Sequence, residues 1–197
     1  MATARQRRTR TRTTRNPRRR ASARRAPSRA QARRPDALRM LKDDHQKVKE
    51  MFGRFERAQS STKEGLARTI CEELKVHAQL EEEVFYPAVR EAIDDEDMME
   101  EAEIEHDTAK YLIAKIEASS PSDESFDACV KVLGEYIQHH VKEEEGEMFK
   151  KVRRSRLDTA ALGEQMKERK GELIGESARG RDRGRRGIGS RLFGRSA

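Results

Sequence analysis

The chain lacks tryptophan altogether, has 5% aromatic residues, and carries two cysteines, Cys71 and Cys129, in 197 residues. Two isolated cysteines without CxxC spacing exclude a disulfide scaffold and a thiolate metal site. They suit a reducing compartment, so a cytoplasmic location is expected. No apolar run approaches the roughly 18 to 20 residues that a transmembrane helix needs, and no membrane partner is expected. Residues 1–34 contain no acid and no lysine, and they lack the apolar core of a secretory signal. Their Arg, Ser and Thr content is that of an organelle leader, but the apolar residues are almost all Ala and form no strong amphipathic face. A permanent tail is therefore the preferred reading.

What the chain has in abundance is charge. Charged residues make up 40% and hydrophobic ones 34%, too polar a mixture for 197 residues around one core. The charge is partitioned. Residues 1–34 hold 14 Arg and carry +14, residues 179–197 hold seven Arg with Asp182 and carry +6, and the whole chain is +7, which leaves −13 on residues 35–178. The expected organisation is a disordered Arg-rich tail over 1–34, a helical bundle over 35–156, a short C-terminal helix over 157–178, and a disordered Arg/Gly-rich tail over 179–197. Arg18, Arg19, Arg20, Arg24, Arg25, Arg185 and Arg186 are candidate contacts to nucleic acid. Such contacts would be non-specific and salt-dependent, because each neutralised phosphate releases counterions.

Between Asp36 and about Arg156, apolar residues recur at alternating steps of three and four, the pattern of helices packed along coiled-coil-like seams. The four seams read Leu38, Leu41, His45, Val48, Phe52, Phe55; then Ile70, Leu74, His77, Glu81, Val84, Ala88; then Met99, Ala102, His106, Ala109, Ile113, Ile116; and lastly Phe126, Val130, Leu133, Ile137, His140, Glu144, Met148. The connections carry their own signals. Asp36 caps the first helix, Ser61 with Glu64 makes a capping box for the second, and Pro87 kinks or ends that helix. Asp94 to Asp97 suit the positive end of the third helix dipole, and Pro121 sits in the first turn of the fourth. Short connections predict an all-α, antiparallel up-down-up-down four-helix bundle.

Polar residues interrupt these seams in a repeated order. His45 is followed 32 residues later by His77 with Glu81, and His106 is followed 34 residues later by His140 with Glu144. Residues four apart share a helix face, with Cβ atoms about 5 to 6 Å apart, so an inward HxxxE aims an imidazole and a carboxylate at one point. Two buried carboxylates with no Arg or Lys on the seams need a cationic partner. Two divalent metals supply it, with His45, His77, His106 and His140 as neutral ligands and Glu81 and Glu144 able to bridge. A competing arrangement protonates the glutamates within a hydrogen-bonded polar core, but half-satisfied networks destabilise small bundles. Imidazole and carboxylate donors suit Fe, Mn or Zn. Iron is the commonest redox use of such a pair, although spacing alone does not choose it. His139 reads as an outer or surface residue, and Glu82, Glu83, Glu143 and Glu145 read as a solvated face.

The stretches LKDDHQKVKEMFGRF, VHAQLEEEVFYPAV, EIEHDTAKYLIAKI and HHVKEEEGEMF, over about residues 36–155, resemble the hemerythrin-like, or HHE cation-binding, domains. Phe85 and Pro87 match the family's residues after the first HxxxE. The resemblance implies an antiparallel bundle around an oxygen-bridged pair of iron ions, with the four histidines terminal and the two glutamates bridging. The oxygen carriers of that family have another histidine where this chain has Lys110. The resemblance thus implies a more open site that reacts with oxygen, peroxide or nitric oxide rather than transporting oxygen. Three functions compete on the sequence: a di-iron protein that binds or consumes such a ligand or iron itself, a non-enzymatic iron or oxygen sensor that refolds on binding, and a nucleic-acid-binding protein whose metal is structural.

Overall fold

The computed structural model describes residues 35–192, with side chains as far as Gly180, and all its regular elements are helices. Helix α1 (Ala37–Glu56) is followed by α2 (Ser60–Leu80), which passes through a π-helical turn at Glu81–Phe85 into α3 (Tyr86–Ala92). Helix α4 (Glu96–Ala118) precedes α5 (Phe126–Glu143), which passes through a second π-helical turn at Glu144–Met148 into α6 (Phe149–Arg154). The last helix is α7 (Thr159–Leu192). Helix α1 packs on α2 and α5, α4 packs on α5 and α2, and α7 lies along α1 and α2. Turns of a few residues join α1 to α2 and α3 to α4, which makes each joined and packed pair antiparallel. Among the described residues, no helix is long and apolar enough to cross a membrane.

Capping follows local chemistry, with two departures from expectation. Asp36 accepts the Arg39 N–H at 3.1 Å, and Asp95 accepts the Met98 N–H at 3.4 Å, with Glu96 and Asp97 in the first turn of α4. The expected Ser61–Glu64 box does not form. The helix begins at Ser60, the Gln59 carbonyl accepts from both the N–H and the hydroxyl of Thr62, and Glu64 is taken instead by Arg68 at 2.7 Å. Pro121 lies in the connection ahead of α5 rather than in a helical turn, because α5 begins only at Phe126.

Pro87 does not end the helical run: it lies in the first turn of α3, which continues to Ala92. In the π turn just before it, the Tyr86 N–H reaches back five residues to the Glu81 carbonyl. The widened turn relieves the clash that a proline ring makes with the preceding turn and removes the need for the N–H it lacks. The second π turn has the same bond, from the Phe149 N–H to the Glu144 carbonyl.

The C-terminal segment departs from expectation as well. The short helix expected over 157–178 is the first part of α7, so residues 179–192, expected to be disordered, are helical. Leu162, Met166 and Leu173 bury against the bundle and hold the first turns. Arg185 and Arg186 fall on this helix, with side chains outside the described residues. Arg18, Arg19, Arg20, Arg24 and Arg25, with the rest of the expected N-terminal tail, also lie outside them.

Two apolar clusters fill the interior. One joins Leu38, Leu41, Leu80, Phe85, Tyr86 and Phe149 with the α7 residues. The other joins Val48, Phe55, Ile70, Leu74, Ile113 and Leu133. On α1, α4 and α5 a histidine lies between the two sets, and on α2 His77 does, so a polar layer separates them.

Candidate metal centre

The structure brings all six seam residues into that layer. His45 comes from α1, His77 from α2, His106 from α4 and His140 from α5, while Glu81 and Glu144 are each the first residue of a π turn. All six are buried, Glu81 completely. His45 Nε2 lies 3.1 Å from His77 Nε2 and 3.2 Å from Glu144 Oε2. Glu81 Oε2 lies 3.2 Å from His77 Nε2 and 3.3 Å from His106 Nε2. The His106 and His140 rings have centroids 4.9 Å apart. Two ligand groups result, His45 with His77 and Glu81, and His106 with His140 and Glu81, each with its donor atoms within 4.8 Å of one another. Glu81 is common to both.

Behind each histidine stands a carboxylate. Glu145 lies 3.0 Å from His45 Nδ1, Glu82 lies 2.8 Å from His106 Nδ1, and Glu105 lies 2.6 Å from His140 Nδ1. Asp44 lies 3.7 Å from His77 Nδ1, but both its oxygens take Lys170 of α7 at 2.5 Å. An acceptor on Nδ1 fixes the ring and presents Nε2 as the free donor of a lone pair. Glu82 and Glu145, read from the sequence as a solvated face, are therefore part of the site, whereas Glu83 pairs with Arg169 of α7. Asp44, Glu105 and Tyr86, whose hydroxyl is 3.1 Å from His106 Nε2, were not anticipated. The signal was available in the repeat. Glu82 and Glu145 each follow a seam glutamate, and Asp44 and Glu105 each precede the first histidine of a hairpin.

The electrostatics are those of a crowded acidic pocket. Burial and the charge of Glu144 push the Glu81 carboxyl well above its ordinary range. Glu144 is held below its ordinary value: burial opposes this, but His45 beside it prevails. His45 rises to about 9, because Glu144, Glu81 and Glu145 outweigh its burial. His77 falls to about 4, driven by burial. Both oxygens of Glu81, both of Glu144, and His140 Nε2 are buried with no hydrogen-bond partner. Each such orphan costs about 1 to 3 kcal/mol, and more when charged. A pair of divalent cations fits this donor set, and four nitrogens with two carboxylates suit iron, manganese or zinc.

A cavity of about 410 Å³ reaches the layer. His45, His77, His106 and His140 line one part of it, and Val48, Leu74, Ile113 and Ile137 give it apolar walls. Lys110 also lines it and pairs with Glu82 at 2.8 Å. His139 is exposed and pairs with Glu143 at 3.1 Å, in keeping with a place outside the centre.

Comparison with known proteins adds three findings. Residues 36–152 match the sequence profile of the Hemerythrin HHE cation binding domain. A protein of Nostoc sp. named DNA nickase is 34% identical over 119 residues, which cover 60% of this chain and 33% of that protein. The chain thus spans about a third of the length of the curated relative it matches. The crystal structure of a hemerythrin HHE cation binding domain-containing protein from Mycobacterium kansasii superposes with a TM-score of 0.63 at 21% identity, covering 73% of this chain and 90% of that one. At that identity the likeness speaks for the fold.

Proposed function

Because this chain belongs to the hemerythrin HHE cation-binding domain family, we propose that its polar layer holds two iron ions and that the protein binds or reacts with a small oxidant such as oxygen, peroxide or nitric oxide. In this reading His45, His77, His106 and His140 are terminal ligands and Glu81 and Glu144 bridge. The observation that carries it is the set of buried, unpaired oxygens on Glu81 and Glu144 facing four imidazoles. When bound, the metal pair supplies Lewis acidity and one-electron redox capacity at a position open to ligand. The protein's part is arrangement. Carboxylates on the outer nitrogens of His45, His106 and His140 orient those rings, the two apolar clusters exclude water, and the cavity gives a small neutral molecule an apolar path. Lys110 turns to Glu82, so the site gains no fifth imidazole from α4. Manganese or zinc in place of iron would keep the ligands and change the chemistry.

The test is elemental analysis with the optical spectrum of one sample after aerobic iron loading. Two irons per chain with the absorption of an oxygen-bridged ferric pair are expected; one metal or none sinks the reading.

A second reading adds contact with nucleic acid through the Arg-rich segments, in a cytoplasmic setting that suits the free thiols of Cys71 and Cys129. The observations favouring it are the +14 and +6 charges on residues 1–34 and 179–197, and the similarity to a protein named DNA nickase. Removal of residues 1–34 should weaken DNA binding and flatten its salt dependence; unchanged binding at moderate salt excludes the N-terminal segment from this role.

A further inference from the structure

Outward of His140 lies a second cleft, of about 120 Å³, between α4 and the π turn that follows α5. Glu101 and Glu105 line it from one side, and Glu143, Glu144 and Glu147 from the other, with His140 also in its wall. No Lys or Arg lines it. Acidic clusters alone are common on surfaces, but this one has a buried end. Glu144 is 3% exposed, and both its oxygens and His140 Nε2 lack hydrogen-bond partners. The cleft is thus lined by the exposed carboxylates of Glu101 and Glu147 and also by Glu144 and His140, two residues of the binuclear layer.

Two of its lining residues, Glu105 and Glu143, also converge with His139. His139 and Glu143 are four apart on α5, an outward copy, one residue earlier, of the His140–Glu144 pair. Glu105 reaches them from α4, and the three offer ligand atoms within 4.8 Å of one another. One oxygen of Glu105 takes His140 Nδ1 at 2.6 Å, so Glu105 touches both the outer group and the inner layer.

The geometry points to a third divalent-cation site, made by Glu105, His139 and Glu143, that captures a metal ion at the surface and passes it along the acidic cleft to the buried pair. One imidazole and two carboxylates from two helices give a partial, open coordination shell, in which water completes the set and binding is weak enough to release. The cleft has room for several waters, so an ion can shed its hydration stepwise. The line of glutamates concentrates cations at its mouth, as clefts of one charge do. The apolar cavity on the other histidine faces is suited to a neutral ligand, which gives metal and ligand separate routes. The assignment rests on the binuclear reading above for its destination, and on its own residues for the capture step.

The test uses the full chain stripped of metal, with Co²⁺ as the probe and anaerobic Fe²⁺ as a second arm. Calorimetry should show two tight equivalents and a weaker third in the unaltered protein. In the double variant His139→Ala, Glu143→Gln the third equivalent should vanish and loading of the tight pair should slow by about ten-fold. Final occupancy and melting temperature should stay as they were, since His139 is exposed and Glu143 only half-buried. Glu91→Gln, an equal charge change elsewhere, should leave the loading rate unchanged. A third equivalent and a loading rate that both survive the double variant overturn the inference. A weak site lost in the variant, with no tight pair in either protein, upholds the capture site and sinks the binuclear reading instead.

Discussion

Individual side chains in the polar layer are held in protonation states that the metals would replace. In the metal-free chain burial and the charge of Glu144 raise the Glu81 carboxyl well above 4.5, which favours its neutral form. Glu81→Gln should therefore leave metal-free stability within about 1 kcal/mol, as a near-isosteric swap does, while metal content falls by at least one ion. A large loss of metal-free stability would show Glu81 to be charged there. His45, raised to about 9 by its carboxylate neighbours, gives a pH signature. A group whose folded value is raised contributes stability in full below its unfolded value, near 6.5, and loses it as pH climbs through 9; Glu81 works in the same direction. The metal-free protein should lose about 3 kcal/mol between pH 6.5 and 9, at about 1.4 kcal/mol per unit, and metal should flatten that slope in thermal melts. Cys71, raised to about 11 by burial, should react with a thiol reagent only as fast as the chain opens. Rapid labelling of Cys71 in folded protein would contradict its placement in the core.

At the scale of elements, the helix seams were legible because each ligand occupies a core position on its helix, where periodicity alone exposes it. The supporting carboxylates were not. Whether Glu82 or Glu83 turns inward depends on the rotation of the neighbouring helix and on the π turns, and a widened turn leaves no mark in apolar spacing. The pairing of Lys110 with Glu82 was likewise hidden, because it joins side chains of two different helices. Helix α7 was the largest surprise. Its role turns on Gly163, where a Cβ would come within 2.6 Å of the Pro35 carbonyl oxygen and 2.9 Å of the Ala37 nitrogen. Gly163→Ala should cost about 1 to 3 kcal/mol through that backbone clash. Gly171→Ala, with nothing within 4 Å, should stabilise by about 0.5 to 1 kcal/mol from helix propensity alone. Equal melting temperatures for the two variants would mean that α7 does not pack on the start of α1. The same helix reaches the centre through Lys170 and Asp44, which leaves His77 Nδ1 as the one ligand-histidine outer nitrogen without a hydrogen bond.

The whole molecule has an approximate twofold plan. His45 with His77 and Glu81 in one half corresponds to His106 with His140 and Glu144 in the other, down to the residue five places after each glutamate. That residue is Tyr86 beside His106 in one half and Phe149 stacked near His45 in the other. The symmetry is broken by the one hydroxyl and by α7, which lies along α1 and α2. Metal loading should raise the melting temperature by an amount set by affinity and concentration, because only the folded chain gathers all six donors; a chelator-insensitive melt would mean that no ion is held there. The polar layer lies between two apolar clusters that both draw on α1, α2 and α4, with α5 supplying the second cluster and its continuation through the π turn and α6 supplying the first. A frame gripped at both ends in this way can stay upright while its middle is emptied and refilled. With metal held as proposed, such a protein would exchange its inorganic cargo without passing through the unfolded chain, and its working life would not be tied to the first ions it acquired.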